Sequence, residues 1–359
     1  MSAEITKVLV TGASGYIAAH VVQQLLKAGY SVRGTVRSLK NEQKVKPLQE
    51  LCPDAAHPLE LVEADLNDPD CWDKAVEGCS HVMHTASPFP ASKPKDPEKE
   101  IIRPAVDGAL SVLAACAKNH VKRVVLTSSI AAVSGGIGDP SRPNHVFSEV
   151  DWTNPDEENI DTYVKSKTLA ERAAWDFVEK LSDEDRFELA TINPGYVVGP
   201  VLSGGDATSM EIPRRLMQRE MPMIVKLFMV VCDVRDVAQA HVNAMTVPEA
   251  AGNRHLVTSG GMWMKEMAQA LDEEFRDQGY SIPLTEAPNF LVSVFGVFDG
   301  SLKMIRPMLG ITQKVDNARL RNILGIEPID MKKSFVDMAY SMIERGFIKK
   351  SKKYRPREP

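Results

Sequence analysis

The feature that most constrains this chain is a short apolar run that ends in a glycine turn near its N-terminus. Lys7–Val10 is mainly aliphatic and β-branched, and Gly12 and Gly15 follow it closely. An apolar run without polar alternation predicts a strand that is buried on both faces of a parallel sheet. Gly12 can adopt a positive φ for the tight turn, and Gly15 lets the backbone approach a ligand. Ala18 leaves room for the following helix to pack against the strand.

The start of that helix is a candidate phosphate-binding site. Its first N–H groups have no partner inside the helix and lie at the positive end of the helix dipole, so they favour an anion. The glycine spacing, G-x-x-G-x-x-A at 12–18, is looser than the G-x-G-x-x-G pattern of dinucleotide sites. Taken alone, the turn is also compatible with a strand–helix connection that holds no ligand.

Strands and helices alternate through the first 200 residues. Strands are predicted at 7–10, 31–36, 59–64, 82–85, 124–129 and 188–193, and helices at 16–27, 98–118 and 162–181. This alternation predicts an α/β fold with a Rossmann-type, doubly wound parallel sheet, whose ligand crevice lies beyond the carboxyl ends of the strands.

The pattern changes after residue 200. Short strands at 229–232 and 255–258 and scattered helices follow, without a second βαβ run. We therefore expect residues 1–200 to form the dinucleotide-binding domain, with parts of 229–260 returning to it. Residues 201–359 are expected to form a smaller α/β substrate lobe and a C-terminal tail.

Bulk properties exclude several classes of function. The chain has 359 residues and a net charge of −5, so no overall basic field favours nucleic acid. Five cysteines form no C-x-x-C pair, and the histidines have no metal-ligand spacing, so neither a disulfide framework nor a metal site is expected. There is no signal-like N-terminus and no apolar stretch long enough for a bilayer, so we expect a cytoplasmic protein without a membrane partner.

Two charged segments are interpreted structurally. The basic run at 349–357 is expected to be a solvated, frayed tail. Asp233, Arg235 and Asp236 are expected to form a cluster of ion pairs and hydrogen bonds that ties the smaller lobe to the larger one.

The end of the second strand indicates which cofactor is used. An NAD site has Asp or Glu about 20 residues beyond the glycines, where it holds the ribose 2′-hydroxyl. No acidic residue occurs between Gly12 and Asn41. The basic residues in and after this segment are Arg33, Arg37, Lys40 and Lys44. Because a 2′-phosphate requires cations, and Arg can bind it in a bidentate manner, the predicted cofactor is NADP.

A third set of residues has the chemistry for proton transfer. Tyr163 and Lys167 stand one helical turn apart, so they share a helix face. A nearby ammonium lowers the pKa of a tyrosine and makes proton exchange practical at neutral pH. Ser128 and Ser129 end the fifth strand at the predicted crevice, where a serine can hold a carbonyl oxygen while Tyr163 protonates it. Without that context, the Tyr-x-x-x-Lys pair would be interpreted as a surface pair of a soluble helix.

In this order the motifs resemble the extended branch of the short-chain dehydrogenase/reductase superfamily. From residue 7 to about 260 the chain resembles the dihydroflavonol-4-reductase-like family more closely. The matching stretches are TGxxGYI at 11–17, TVR at 35–37, TASP at 85–88, PAVDG at 104–108, YxKSKTLAE at 163–171, NPGxVxGP at 193–200 and DVRDVAxAH at 233–241.

The resemblance implies an NADP-dependent oxidoreductase that reduces a small ketone or aldehyde to an alcohol. It implies that Tyr163 donates the proton, that Lys167 supports Tyr163 and binds the nicotinamide ribose, and that Ser129, or else Ser128, orients the carbonyl. The other cofactor-binding residues that it implies are Gly12, Ser14, Gly15, Tyr16, Ile17, Arg37, Lys44, Asp65, Leu66, Thr85, Ala86, Ser87, Pro194, Gly195, Val197 and Ser209.

One departure from the family pattern bears on the substrate. Similar flavonoid reductases carry an Asn about five residues beyond the catalytic serine, where this chain has Ser134 followed by a glycine-rich loop with Gly136 and Gly138. A serine hydroxyl is shorter than an amide and the loop differs. The departure argues against a flavonoid or a cinnamoyl-CoA thioester as substrate.

Other activities stay open at the level of sequence. A nucleotide-sugar epimerase or dehydratase of the extended type would use NAD and would require an acid where Arg37 stands. A hydroxysteroid dehydrogenase would run the same chemistry in the oxidative direction. A binding protein that senses the cofactor would lack Tyr163 or Lys167, and both are present. The expected partner is a small carbonyl compound, and the expected assembly is a monomer or homodimer.

Overall fold

The computed structural model of the chain describes residues 6–88, 94–135, 142, 144–158, 160–203, 207–288, 292 and 305–357. Its strands are β1 (Lys7–Val10), β2 (Ser31–Val36), β3 (Glu60–Glu63), β4 (His81–His84), β5 (Arg123–Thr127), β6 (Val146–Phe147), β7 (Glu188–Pro194), β8 (Tyr196–Val198), β9 (Phe228–Asp233), β10 (Arg254–Val257), β11 (Gly260–Trp263) and β12 (Lys314–Val315).

The α-helices lie between these strands. They are α1 (Tyr16–Lys27), α2 (Glu42–Gln49), α3 (Trp72–Val76), α4 (Arg103–Lys118), α5 (Ala131–Ser134), α6 (Thr162–Glu179), α7 (Glu211–Met217), α8 (Val234–Thr246), α9 (Met264–Phe275), α10 (Ala318–Asn322) and α11 (Met331–Glu344). Every helix in the described part of the chain is too short or too polar to cross a lipid bilayer.

The main sheet has seven strands in the order β10-β7-β5-β4-β1-β2-β3. All six neighbouring pairs are parallel. The predicted Rossmann-type α/β fold is therefore confirmed. Because the strands are parallel, the segments that follow their carboxyl ends all lie along one edge of the sheet.

The apolar strands are buried because helices cover both faces of the sheet. In β1, Val8 and Val10 belong to a core with α1 and α8. Leu9, between them, belongs to the core on the opposite face, with α3, α4 and α6. Alternate side chains of a strand point to opposite faces, so an unbroken apolar run is what a sheet covered on both faces requires.

A second, three-stranded sheet has the order β11-β9-β8. It packs with α7, α9 and α11 around a third core that includes buried methionines such as Met210 and Met217. The strand predicted at 229–232 thus belongs to this small sheet, whereas the strand predicted at 255–258 is β10 of the main sheet. The division of the chain at residue 200 stays a prediction.

The predicted strands and helices of the first half agree closely with the structure, but α2 and α5 were not predicted, and one predicted helix differs locally. The helix predicted at 98–118 begins as a π-helical turn over Glu98–Ile102 and becomes regular only in α4. Pro104 lies in the first turn of α4. Proline is tolerated there because the N–H that it lacks would have no partner inside the helix.

The basic segment 349–357 is not the frayed tail that its composition predicts. The N–H of Arg355 donates to Oε1 of Gln278 at 3.1 Å, and Arg357 forms an ion pair with Asp337 of α11. The composition of the segment does not show that Gln278 and Asp337 lie within its reach. The end of the described chain is therefore held against α11 and the segment that follows α9.

The acidic and basic residues around Asp233 join the two sheets. The Asp233 carboxylate caps α8 by accepting from the N–H of Arg235, and it pairs with that guanidinium at 2.6 Å. Arg235 also pairs with Asp337 at 2.8 Å. One guanidinium therefore connects the start of α8, which covers the main sheet, with α11 of the small lobe.

Gly195 lies where the main sheet passes into the small one, between β7 and β8. A Cβ at this position would lie 2.5 Å from the carbonyl oxygen of Val230 in β9. This is a clash with backbone, which cannot move aside as a flexible side chain would. Glycine is therefore required at 195 for the close approach of the two sheets, independently of any ligand.

We expect Gly195→Ala to lower the free energy of unfolding by about 3 kcal/mol, the upper part of the range for overpacking, in chemical denaturation. Gly29→Ala is the control, because its added Cβ meets nothing within 4 Å and costs only the strain of a positive φ, about 1 kcal/mol. Equal losses in the two variants would contradict this account of the junction.

Candidate active site

The predicted cofactor-binding residues follow the carboxyl ends of strands that are neighbours in the main sheet. Gly12, Ser14, Gly15, Tyr16 and Ile17 follow β1, Arg37 follows β2, Asp65 and Leu66 follow β3, and Thr85, Ala86 and Ser87 follow β4. Ser128 and Ser129 follow β5, and Pro194, Gly195 and Val197 lie at the end of β7 and in β8. The strand order brings these groups to one edge, with β2 and β3 on one side of the glycine turn and β4, β5 and β7 on the other.

The glycine turn fits the pyrophosphate of a dinucleotide. Gly12 has a φ of +64°, and a Cβ there would lie 3.1 Å from the Cβ of Ala86. Gly15 is the N-cap of α1 without a side-chain cap, and the first turn of α1 contains no acidic residue. The helix therefore begins with N–H donors and no competing carboxylate, which is the donor set that an anion requires.

Thr11 fixes the glycine turn to the end of β4. Its Oγ1 accepts from the N–H groups of Thr85 at 3.1 Å and Ala86 at 3.0 Å. The same hydroxyl lies 2.9 Å from Nδ1 of His84. The two backbone segments that would flank a cofactor are thus held in one arrangement by a single buried side chain.

The basic residues in and after β2, which are predicted to lie near the adenosine ribose, have different environments. Arg33 donates to Glu60 at 2.9 Å and to the carbonyls of Ala75 and Glu77, so it belongs to the fold. Arg37 is exposed directly after β2, and Lys44 is partly buried on α2. Of these, Arg37 is the cation at the sheet edge.

Ser129 and Tyr163 come together across the site. The Asp161 carboxylate caps α6 by accepting from the N–H groups of Tyr163 at 2.9 Å and Val164 at 3.2 Å, which places Tyr163 in the first turn. Its phenol lies close enough to the hydroxyl of Ser129 for that hydroxyl to favour the phenolate. Ser128, in contrast, donates to Oε2 of Glu171 at 2.5 Å. The structure thus separates the two candidate serines.

Burial governs the acid–base properties of the site. It raises the pKa of Tyr163, and the nearby hydroxyl of Ser129 only partly opposes this increase. Burial also lowers the pKa of Lys167 to about 8, against the attraction of Glu171. The expected lowering of the Tyr163 pKa by Lys167 is absent, because desolvation is the dominant influence on both groups.

Lys167 is a buried cation with unused hydrogen-bonding capacity. The residue is 9% exposed. Its ammonium makes no hydrogen bond or ion pair with another of the described residues. A buried ammonium with free N–H groups at the sheet edge suits the hydroxyls of a ribose.

A buried ion pair lies directly behind these residues. Glu171, one turn after Lys167 on α6, is 1% exposed, and Arg254 of β10 is 7% exposed. Nε of Arg254 lies 2.6 Å from Oε1 of Glu171. The carboxylate also accepts from Asn193 at 2.7 Å and Thr191 at 3.1 Å, both in β7. These donors satisfy a charge that would otherwise be costly to bury.

Arg254 extends this network to the segment before α6. Its guanidinium donates to the carbonyls of Glu149 at 3.0 Å and Asp151 at 2.5 Å. It also lies 3.7 Å from the ring centroid of Trp152, in a cation–π contact. The segment that leads into α6 is therefore fixed by the cation that neutralises Glu171.

The position that distinguishes this chain from flavonoid reductases is occupied by protein contacts. The hydroxyl of Ser134 donates to the carbonyl of Ile130 at 3.3 Å and accepts a hydrogen bond from Gln313. Gly136 and Gly138 lie outside the described residues. The proton and one lone pair of Ser134 are thus used within the protein, and the exclusion of a flavonoid stays a prediction.

The remaining predicted residues lie at the border of the small lobe. Ser209 accepts at its carbonyl from the phenol of Tyr196, and its contact with a cofactor stays a prediction. His20 is buried and pairs with the carbonyl of Pro200 at 2.8 Å, in agreement with a packing role. The described residues contain no group of three or more His, Cys, Asp or Glu side chains placed to hold a metal ion.

Sequence reasoning missed three parts of the site. Glu171 belongs to the matching motif, but nothing indicated its partner Arg254. His84 was expected only to lack metal-ligand spacing, and Gln313 carried no signal. An invariant position in an alignment would be the signal most suited to find such residues.

We expect Arg254→Met to lower the free energy of unfolding by about 3–5 kcal/mol, because it leaves Glu171 buried without a counterion. Glu171→Leu in the same chain should restore much of that loss, so that the double-mutant cycle is strongly non-additive in urea denaturation. Removing the exposed pair Lys46–Glu50, with side chains 75% and 65% exposed, is the control and should cost under about 1 kcal/mol. Additive effects at Glu171 and Arg254 would contradict this description.

Comparison with known proteins identifies the family. Residues 8–258 match the model of the NAD dependent epimerase/dehydratase family. The chain is 44% identical over 254 residues to the cinnamoyl-CoA reductase CAD2 of Medicago truncatula, covering 70% of this chain and 75% of that protein. It is 35% identical over 291 residues to the bifunctional dihydroflavonol 4-reductase/flavanone 4-reductase of Malus domestica, covering 79% and 80%.

Among solved structures, the yeast methylglyoxal/isovaleraldehyde reductase Gre2 complexed with NADPH superposes with a TM-score of 0.78. It is 31% identical, and the match covers 95% of this chain and 99% of that chain. The chain therefore belongs to the NAD dependent epimerase/dehydratase family and, within the extended short-chain dehydrogenase/reductases, to the dihydroflavonol-4-reductase-like group.

Proposed function

We propose that this chain reduces a small ketone or aldehyde to an alcohol, with NADPH as cofactor and Tyr163 as the proton donor. The chain is an NADP-dependent oxidoreductase of a family whose members are named reductases. The observation that carries the proposed mechanism is the proximity of the Ser129 hydroxyl to the buried phenol of Tyr163, where it favours the phenolate. It joins a group that can hold a carbonyl oxygen to a group that can protonate it.

The residues of the sheet edge would hold the cofactor. The glycine turn and the start of α1 would bind the pyrophosphate, Arg37 with Lys44 the 2′-phosphate, and Lys167 the nicotinamide ribose. Bound there, NADPH supplies the hydride that reduces the carbonyl carbon. The exposed position of Arg37 after β2, with no acid at the equivalent place, favours NADPH over NADH and disfavours an NAD-using epimerase or dehydratase.

Each catalytic side chain has a separate task. The hydroxyl of Ser129 would donate a hydrogen bond to the substrate oxygen and orient it beside the phenol of Tyr163. Because burial raises the pKa of Tyr163, the phenol is protonated at neutral pH and is ready to act as the acid. The ammonium of Lys167 would stabilise the phenolate that remains after proton transfer.

The protein contacts at Ser134 support a substrate without the ring hydroxyls of a polyphenol. Its proton is engaged by Ile130 and one of its lone pairs by Gln313, so it has no free donor for a polyphenol. A panel of ketones, aldehydes, dihydroflavonols and cinnamoyl-CoA esters, assayed by loss of NADPH absorbance, tests this choice. We expect turnover with small ketones or aldehydes. Turnover confined to flavonoids or thioesters would overturn the small-carbonyl assignment.

We expect Tyr163→Phe to reduce kcat by about 10²–10⁴-fold, the contribution of a positioned general acid. The Kd for NADPH, measured by fluorescence quenching, should stay nearly unchanged, because the phenol oxygen is the only group removed. Unchanged turnover in this variant would exclude Tyr163 as the proton donor.

We expect Arg37→Ala to weaken NADPH binding by about ten- to hundredfold, the worth of hydrogen bonds to a charged group, with little effect on NADH. Lys27→Ala is the matched control, since Lys27 is an exposed cation at the opposite end of α1. If the ratio of NADPH to NADH affinity is the same in both variants and the wild type, Arg37 does not bind the 2′-phosphate.

A further inference from the structure

A small polar cavity lies between the ends of β4 and β5 and helices α4 and α6. Its polar lining comes from His84, Ser87, Thr127, Ser128, Lys167 and Glu171, and its apolar lining includes Ala109. Its volume of about 20 Å³ exceeds the roughly 10–15 Å³ that one water molecule requires. The cavity is thus of the size and polarity that hold a single water.

The hydrogen bonds of Thr11 determine where the proton of His84 lies. Oγ1 of Thr11 accepts from the N–H groups of Thr85 and Ala86, which uses both of its lone pairs. Its own proton must therefore go to Nδ1 of His84, 2.9 Å away. Burial and the nearby Lys167 lower the pKa of His84 to about 3, so the ring is neutral and its proton is on Nε2.

The cavity therefore has two buried donors and a free acceptor. His84 is 2% exposed and Lys167 9% exposed, and neither Nε2 of His84 nor the Lys167 ammonium has a hydrogen-bond partner in the described parts of the chain. Ser128 gives its proton to Oε2 of Glu171 at 2.5 Å, so its hydroxyl oxygen can accept. Glu171 itself is saturated by Asn193, Thr191 and Arg254, as described above.

We propose that this cavity binds one water molecule, which accepts hydrogen bonds from Nε2 of His84 and from Lys167 and donates to Oγ of Ser128. The water joins Lys167 to the Thr11–His84 pair on one side and to the Ser128–Glu171–Arg254 network on the other. His84 is then a positioning residue for Lys167, a role that rests on the function proposed for Lys167 above.

The first test is structural and needs neither cofactor nor substrate. A high-resolution crystal structure of the cofactor-free wild-type protein should contain one ordered water within hydrogen-bond distance of Nε2 of His84 and Nζ of Lys167. An empty cavity, or a Lys167 side chain turned out of it, would overturn the proposal.

Two substitutions test the roles of the two ring nitrogens of His84 independently. His84→Asn keeps an acceptor near the position of Nδ1 for Thr11 but removes the donor that faces the cavity. His84→Gln keeps a donor near the position of Nε2 and loses the contact with Thr11. We expect His84→Asn to lose the ordered water, to lower kcat by about tenfold, the worth of one hydrogen bond, and to shift the pH profile of kcat. His84→Gln should keep the ordered water and the pH profile of the wild type, and its kcat should fall less than that of His84→Asn.

A purely structural role would give a different pattern. Both variants would then lose thermal stability while their kcat and pH profile stayed at wild-type values, and that outcome would refute the positioning role. Equal loss of kcat in both variants would refute it as well. The proposed function can fail independently of the water site. If the wild-type protein reduces no carbonyl compound, the cofactor-free crystal structure still shows whether the cavity holds the water.

Discussion

The arrangement of this site depends on the burial of one carboxylate, that of Glu171. A charge at 1% exposure is tolerated only where a counterion and further donors surround it. Arg254 supplies the counterion from β10, Asn193 and Thr191 supply donors from β7, and the segment around Glu149 and Asp151 is fastened to Arg254 in turn. The carboxylate thereby fixes the strands and the helix that carry Ser129, Tyr163 and Lys167. A site for hydride transfer requires such fixed geometry, because the reacting groups must meet at defined distances.

Much of the fold was predictable because its signals are local. The bounds of α1 and β2 follow from apolar periodicity and from the glycines that flank them, so the predicted ranges 16–27 and 31–36 are those observed. The strand ends then place the candidate residues at one edge without further information. The tail at 349–357 was predicted wrongly, because its docking depends on Gln278 and Asp337, which are distant in sequence.

The site was predictable only in part, for the same reason. Ser129, Tyr163 and Lys167 stand in recognisable motifs, but Arg254 is separated from Glu171 by 83 positions and His84 from Thr11 by 73. A periodic sequence pattern gives no information on contacts between residues so far apart in the chain. The sequence spacing also predicted that Lys167 lies near Tyr163, but it did not predict that both side chains are buried. That burial reverses the expected direction of the tyrosine pKa.

The position of β10 in the sheet has a consequence for the synthesis of the chain. During translation, β7 and Glu171 leave the ribosome well before Arg254, with β8, β9 and α8 in between. Until β10 emerges, β7 is an edge strand and the Glu171 carboxylate lacks its counterion. A nascent chain that ends before β10 therefore exposes both an unpaired, aggregation-prone strand edge and a carboxylate without its counterion. The main sheet is consequently expected to complete its folding only when more than seven tenths of the protein has been made, and to unfold together with the segments that separate β7 from β10.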